Sequence, residues 1–209
     1  MKITHQNILP RPLLSSLLLA CTLFSGCSSV HTDPTVQYDL GQVQALDAPV
    51  QLTGALTALS VAEISTPAWL DNQQMLFRLT YVNDQQPRHF SAARWTMPPA
   101  QLFNQRLKVL LAQAGSVVVP ASDGAAGLPL LRLEADDFSQ VFASQNESLV
   151  QISIRASLFN ARRLVAQKTF MQRVPTSSAD AAGGVRALAK ASDSMIGDMM
   201  QWLAGQNVK

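Results

Sequence analysis

The sequence predicts an α+β domain: a single, mainly antiparallel or mixed sheet of hairpins covered on one face by two long helices. Three observations predict it. Period-two alternation recurs between turn-rich segments, two stretches carry apolar stripes at helical spacing, and no internal repeat or interior boundary divides the chain. With 209 residues the chain is long enough for one domain with a sizeable core.

Residues 56–64 are strand-like. Met75, Phe77, Leu79 and Tyr81 alternate with polar residues and define a second strand. Residues 83–87 (NDQQP) carry turn chemistry, and 88–95 return as the other arm of a hairpin. Pro98-Pro99 opens a helix whose stripe is Phe103, Leu107, Leu110 and Ala114, and Gly115 ends it. A short apolar run follows at 116–119, then a Gly/Ala/Pro-rich loop at 122–129. Leu131, Leu133 and Ala135 alternate with Arg132, Glu134 and Asp136, and the phase slips at Asp136-Asp137, which predicts a bulge. Val150, Ile152, Ile154, Ala156 and Leu158 form the clearest inward face, with Gln151, Ser153, Arg155 and Ser157 outward. A turn at Asn160-Ala161 leads to a strand over 163–174. Lys168 falls in phase there with Leu164 and Phe170, which is edge-strand behaviour. Val185, Leu188, Met195, Ile196, Met199 and Leu203 stripe the last helix, which ends near Gly205.

The N-terminus is a targeting segment. Lys2, His5 and Arg11 precede about a dozen mostly apolar residues at 13–24, too few for a bilayer span but suited to a secretory signal. Small residues then close on Cys27 (Phe24-Ser25-Gly26-Cys27), which resembles the bacterial lipobox, with acylation at Cys27. Leu18-Leu19-Ala20-Cys21 also resembles one, but cleavage there would shorten the apolar run and leave Leu23 and Phe24 in the mature tail. The organisation read from this is a lipoprotein signal peptide at 1–26, an acylated cysteine and flexible tether at 27–35, and one domain at 36–205. Ser28 stands where Asp would signal inner-membrane retention, so the resemblance implies a lipid anchor in the outer membrane, facing the periplasm. Two or more acyl chains hold a protein stably where one does not.

Composition narrows the chemistry. Removing Lys2 and Arg11 with the signal leaves 14 basic against 14 acidic residues, so the mature chain is formally neutral. A neutral domain with scattered charges offers little to a phosphate backbone, which sets nucleic acid aside. Both cysteines, Cys21 and Cys27, are N-terminal, so the domain carries no thiol nucleophile, disulfide or sulfur ligand. His89 stands alone on a strand with no activating partner. Glu134 and Asp136 fall on one strand face and Asp137 on the other, which opposes a shared metal site. The expectation is no enzyme, no metal and no cofactor.

Aromatic and arginine residues suit a partner surface better. Trp69-Leu70 follows Pro67 in a loop, and Arg94-Trp95 precedes the helix start. A loop Trp with an apolar neighbour can anchor a partner. Capping the core is the commoner fate of both rings, so the two roles stand side by side.

Taken in order, Tyr38-Asp39-Leu40-Gly41, Pro67-Ala68-Trp69-Leu70-Asp71, Gln74-Met75-Leu76-Phe77-Arg78, Arg94-Trp95 with Pro98, and Asp137-Phe138-Ser139-Gln140-Val141-Phe142 resemble the ABC-type transport auxiliary lipoprotein family. The likeness runs over about 36–205. It departs at Thr96-Met97 and at His89, positions that bear on surface contacts. The resemblance implies a non-catalytic adaptor of an intermembrane lipid transport system. Its partners would be a mammalian-cell-entry-type substrate-binding protein with a permease and an ATPase, and copies of the chain would form a homo-oligomeric ring. On this reading Trp69, Leu70, Arg94 and Trp95 would meet the partner. The alternative is a periplasmic lipid carrier that encloses an acyl chain among Phe77, Phe103, Phe138 and the methionines of the last helix. A hydrolase is disfavoured by the residue inventory.

Cys27→Ser is expected to block acylation and signal processing and leave a precursor at the inner membrane. Metabolic labelling with palmitate tests this: label entering the mutant would move the site away from Cys27, to Cys21.

Overall fold

A three-stranded antiparallel meander carries the sheet. In the computed structural model, which describes residues 34–43 and 54–206, eight strands and two helices follow one another. They are β1 (Val36–Tyr38), β2 (Leu59–Val61), β3 (Gln74–Leu79), β4 (Asn83–Trp95), α1 (Pro99–Gln113), β5 (Val118–Pro120), β6 (Leu130–Phe142), β7 (Ser148–Asn160), β8 (Arg163–Pro175) and α2 (Ala181–Ala204). Cys27, the signal segment and the tether up to residue 33 lie outside the described residues.

β6, β7 and β8 form an antiparallel meander, with β7 in the centre and β8 at the edge. Val150, Ile152, Ile154, Ala156 and Leu158 are all buried on the face covered by the helices. Ser153 and Ser157, expected outward, are buried as well. They are short side chains on a central strand, and longer neighbours such as Gln167, which donates to Ser157 Oγ at 2.8 Å, lie across them. The bulge expected at Asp136-Asp137 is present: the register passes from Ala135 opposite Ile154 to Asp137 opposite Ser153. The extra residue shifts the phase, so Leu131, Leu133 and Ala135 give way to Phe138 and Phe142 on the same buried face. A second irregularity, between Leu158 and Phe159, explains the poor pattern of β8. It sets Leu164 opposite Phe159, while Lys168 and Phe170 stay in phase with Ala156 and Ile154. Leu164 is therefore exposed, and Lys168 lays its ammonium 4.8 Å from the Phe170 ring centroid.

The β7–β8 turn has Ala161 at φ 46° and Arg162 at φ 70°. A two-residue hairpin turn with both central φ positive suits Asn-Gly. Holding two residues with Cβ atoms there costs about 1 kcal/mol or more each.

One edge of β6 is paired to β7 along its length, and the other is shared. β3 runs parallel to 140–142, β2 runs parallel to 130–131, and Ser65 bridges Glu134 between them. β1 pairs parallel with the end of β4, and β5 pairs parallel with β2. The sheet is thus mixed, with more parallel pairing than a hairpin reading alone implies. The strand expected over 56–64 is only Leu59–Val61, because its parallel pairing with β6 breaks off after Ala62 and returns only as the single bridge at Ser65. The first hairpin turns at residues 80–82, earlier than the NDQQP segment, and Tyr81 is exposed in that turn. Pro87 is inside β4, where among the described residues the strand has no neighbour on its second side and no ladder donor is needed. In the run expected at 116–119, Val117 faces solvent and the strand is Val118–Pro120.

Helix α1 starts after Pro98 with Pro99 in its first turn, and Gly115 ends it at φ 88°. Phe103, Leu107 and Leu110 are buried along its stripe. Helix α2 begins at Ala181 because Asp180 caps it: its carboxylate accepts from Gly183 N at 2.6 Å. Gly184 permits the close approach of α2 to β6, since a Cβ there would lie 2.1 Å from Gln140 Oε1. The stripe Leu188, Met195, Ile196, Met199 and Leu203 is buried against β7 and β8.

Arg106 joins both helices to the N-terminal strand. It lies on the buried arc of α1 and donates from Nε to Asp193 Oδ1 at 2.5 Å and from a terminal nitrogen to Asp193 Oδ2 at 2.7 Å. Its other terminal nitrogen donates to the carbonyls of Leu40 and Gly41, each at 3.1 Å. Glu63 takes a similar but more exposed pin from Lys108 at 2.8 Å, and that ammonium holds its carboxyl below the ordinary range.

The backbone N–H of Gly183, followed by the hydroxyl of Ser178, lowers the Asp180 pKa below its ordinary value. A depressed carboxylate stabilises the fold fully above the unfolded value, about pH 4, and that contribution is lost as pH falls through the lower folded value. Asp180→Ala is expected to cost about 1 kcal/mol at pH 7. Urea melts at descending pH should show the gap between mutant and wild type narrowing below pH 4.

Candidate docking surface

The four residues singled out near the two tryptophans separate into two environments. Trp95, at the end of β4, is buried, with its ring edge-on to Phe138 at 6.0 Å. Its Nε1 finds no hydrogen-bond partner among the described residues. Leu70 is buried too, at 1% exposure. Both belong to the core because strand alternation and a tight turn aim them inward, so neither offers its side chain to a partner. Trp69 and Arg94 are the two left at the surface.

Trp69 is 41% exposed, and its backbone is well held. The N–H groups of Leu70 and Asp71 both donate to the Pro67 carbonyl, at 2.9 and 3.2 Å. Asn72 Nδ2 donates to the Trp69 carbonyl at 2.9 Å, and Asn72 Oδ1 accepts from Gln74 N at 2.8 Å. With Leu70 plugged into the core beside it, the ring stands on a fixed turn and would lose little freedom on meeting a partner.

This turn lies where β6 lacks a strand neighbour. Ser65 exchanges backbone hydrogen bonds with Leu133 and Ala135, at 3.0 and 2.9 Å, and β3 joins only from Gln140 onward. Trp69 and Pro67 here line a shallow cleft of about 450 Å³ with Glu134, Asp136 and Arg155. Arg155 Nε donates to Glu134 Oε2 at 2.7 Å, and that carboxylate raises the Arg155 pKa. Asp136 is exposed at the bulge and shares the field of Arg155 with Glu134, two carboxylates to one guanidinium, so the rim around the indole is mildly acidic.

Arg94 alternates with Trp95 and so points to the opposite face of the sheet from the helices. It sits between Gln74 of β3 and Gln37 of β1. It shares that helix-free face with the Trp69 cleft but does not line the cleft.

Other candidate chemistry is sparse. His89 is an exposed residue of β4. The bulge overturns the alternation that set Asp137 apart from Glu134: the register puts Asp137 opposite Ser153 and Glu134 opposite Arg155, on one helix-free face, where Asp137 accepts from Ser139 and Gln151, both at 2.7 Å. Among the described residues no group of three or more His, Cys, Asp or Glu could hold a metal, and no helix is long and apolar enough to cross a membrane. Of the residues expected to line an acyl-chain cavity, Phe103, Phe138, Met195 and Met199 belong to the contiguous core at 1% exposure or less, and Phe77 is half-buried against Phe90 and Phe142. Sequence reasoning missed Arg106. Its signal was a charged residue one position before Leu107, inside the buried arc of α1.

The fold is a mixed sheet backed by two helices, with an exposed Trp69 on a loop. The model of the ABC-type transport auxiliary lipoprotein component matches residues 38–199, and the chain belongs to that family. It is therefore an auxiliary lipoprotein of ABC-type transport. A crystal structure of a protein from Xanthomonas campestris has the same fold, with a TM-score of 0.68 at 21% identity over 80% of this chain and 94% of that one. A second crystal structure, of an uncharacterized protein, gives 0.64 at 17% identity over 81% of this chain and 98% of that one. No curated protein matches this chain in sequence.

Trp95→Ala is expected to cost about 3–5 kcal/mol, as removal of a fully buried ring does. Trp69→Ala should cost less than about 1 kcal/mol. Paired urea melts of the two variants measure the contrast.

Proposed function

We propose that this protein is a non-catalytic adaptor of an intermembrane lipid transport system. Acyl chains on Cys27 hold it in the outer membrane, and the domain faces the periplasm. There it positions a mammalian-cell-entry-type substrate-binding protein that works with a permease and an ATPase. A ring of copies belongs to the same reading. Trp69, with Arg94 on the same face, is the surface that meets the partner.

The observation that carries the reading is the exposed indole of Trp69 on a hydrogen-bonded turn, in a chain of this family. A large apolar side chain left in water is common enough singly. One whose backbone is immobilised, and whose neighbour Leu70 is spent on the core, has the form of an interface anchor. The acidic rim of Glu134 and Asp136 would favour a partner with basic groups around an apolar pocket.

The test is capture of the mammalian-cell-entry-type protein from detergent-solubilised envelopes by the acylated full chain. Trp69→Ala should lower the affinity roughly thirtyfold, the effect of losing about 2 kcal/mol at a hot spot, with the melting temperature unchanged. Arg94→Glu should weaken capture by a smaller factor. Unchanged capture by a folded Trp69→Ala protein would exclude this surface.

A further inference from the structure

A second cleft, of about 810 Å³, lies at the end of the meander where the loop 125–128 faces the β7–β8 turn. One wall is apolar, made by Ala125, Leu128 and Leu130. The other holds Phe159, with the Arg132 guanidinium 5.3 Å from its ring centroid, and Arg162 on the turn.

Charge in this cleft is one-sided. No Asp or Glu lines it. The three ion pairs among the described residues employ Arg106, Lys108 and Arg155, so neither Arg132 nor Arg162 is neutralised by a carboxylate. Asp123, the acid before the loop, accepts from Ser122 Oγ at 3.2 Å and does not line the cleft. Arg162 is also presented at a cost, because its φ of 70° is one that Gly or Asn would take more easily. Strained backbone is kept where the surrounding structure has a use for it.

We propose that this cleft binds an anionic amphiphile. Arg132 and Arg162 take a phosphate or carboxylate headgroup, and its first methylenes lie against Leu128, Leu130 and Phe159. Guanidinium donors match such oxygens in fork geometry, and stacking on Phe159 orients the Arg132 fork. The volume falls in the range of small-molecule sites. A bare inorganic anion would serve the two arginines and leave the apolar wall in water. A neutral alkyl chain would cover the wall and leave both guanidinium groups unmatched. Only a ligand with both parts satisfies both sides. The inference stands apart from the adaptor role, since neither Trp69 nor Arg94 lines this cleft.

The experiment titrates the full chain, held in phosphatidylcholine nanodiscs, with hexyl phosphate, inorganic phosphate and hexyl glucoside, followed by calorimetry. Hexyl phosphate is expected to bind at least tenfold more tightly than either of the others. The double variant Arg132→Gln/Arg162→Gln should lose that preference. Arg162→Gly supplies a variant whose turn is relaxed, and it should keep the fold while weakening hexyl phosphate severalfold. Equal binding of hexyl phosphate to wild type and to folded Arg162→Gly and double variants would overturn the proposal. So would inorganic phosphate or hexyl glucoside binding as tightly as hexyl phosphate.

Discussion

The architecture depends on Arg106. Its guanidinium is 7% exposed and satisfied on all sides, by both oxygens of Asp193 and by the carbonyls of Leu40 and Gly41. Three segments distant in the chain, the turn after β1 and the two helices, meet at one charge. A buried guanidinium without such partners would be costly, so the positions of the segments are mutually conditional. Gly41, at φ 72°, makes the sharp exit that brings two successive carbonyls to the same donor, and Asp39 reinforces it by accepting from Gly41 N at 2.7 Å. The Tyr38-Asp39-Leu40-Gly41 motif is thus the cradle of a charge on a helix.

A second constraint is the length of β6. It has 13 residues, and β3, Ser65 and β2 occupy separate parts of one edge. Between them the strand carries its bulge, and the Pro67 turn fills the vacancy with Trp69 outward and Leu70 inward. The candidate docking surface is therefore a by-product of sheet topology. The second cleft lies at the end of the meander, where the loop that leads into β6 faces the β7–β8 turn.

Much of this was legible in the sequence because the signal was local. Alternation in Val150 to Leu158, the slip at Asp136, the Pro98-Pro99 start and the stripe of α2 each depend on neighbours a few residues apart, and the structure repeats them. Parallel pairing was not legible, since nothing within 56–64 reveals that Ser60 and Val61 lie beside the start of β6. Leu164 and Lys168 were misleading for a physical reason: a bulge resets the phase without changing composition. The paired tryptophans illustrate the limit for sites. Trp69 stands in a loop and Trp95 at the end of a strand, and the buried neighbour that receives the Trp95 ring, Phe138, lies far along the chain. Arg106 and the cleft arginines escaped notice because their partners, or the lack of them, are set by segments far along the chain.

The way β1 is held has a mechanical consequence. Its three residues lie parallel to the end of β4, with Thr96 N donating to the Tyr38 carbonyl at 2.8 Å, and Arg106 grips the two carbonyls just beyond. Tension applied through Thr35, drawn back along the strand axis, would load the β1 hydrogen bonds in shear, together instead of one after another. The Arg106 fork stands behind them as a second catch. A domain hauled by its leading end would resist at that edge as a lap joint does, and the load would pass into both helices before any core strand was disturbed.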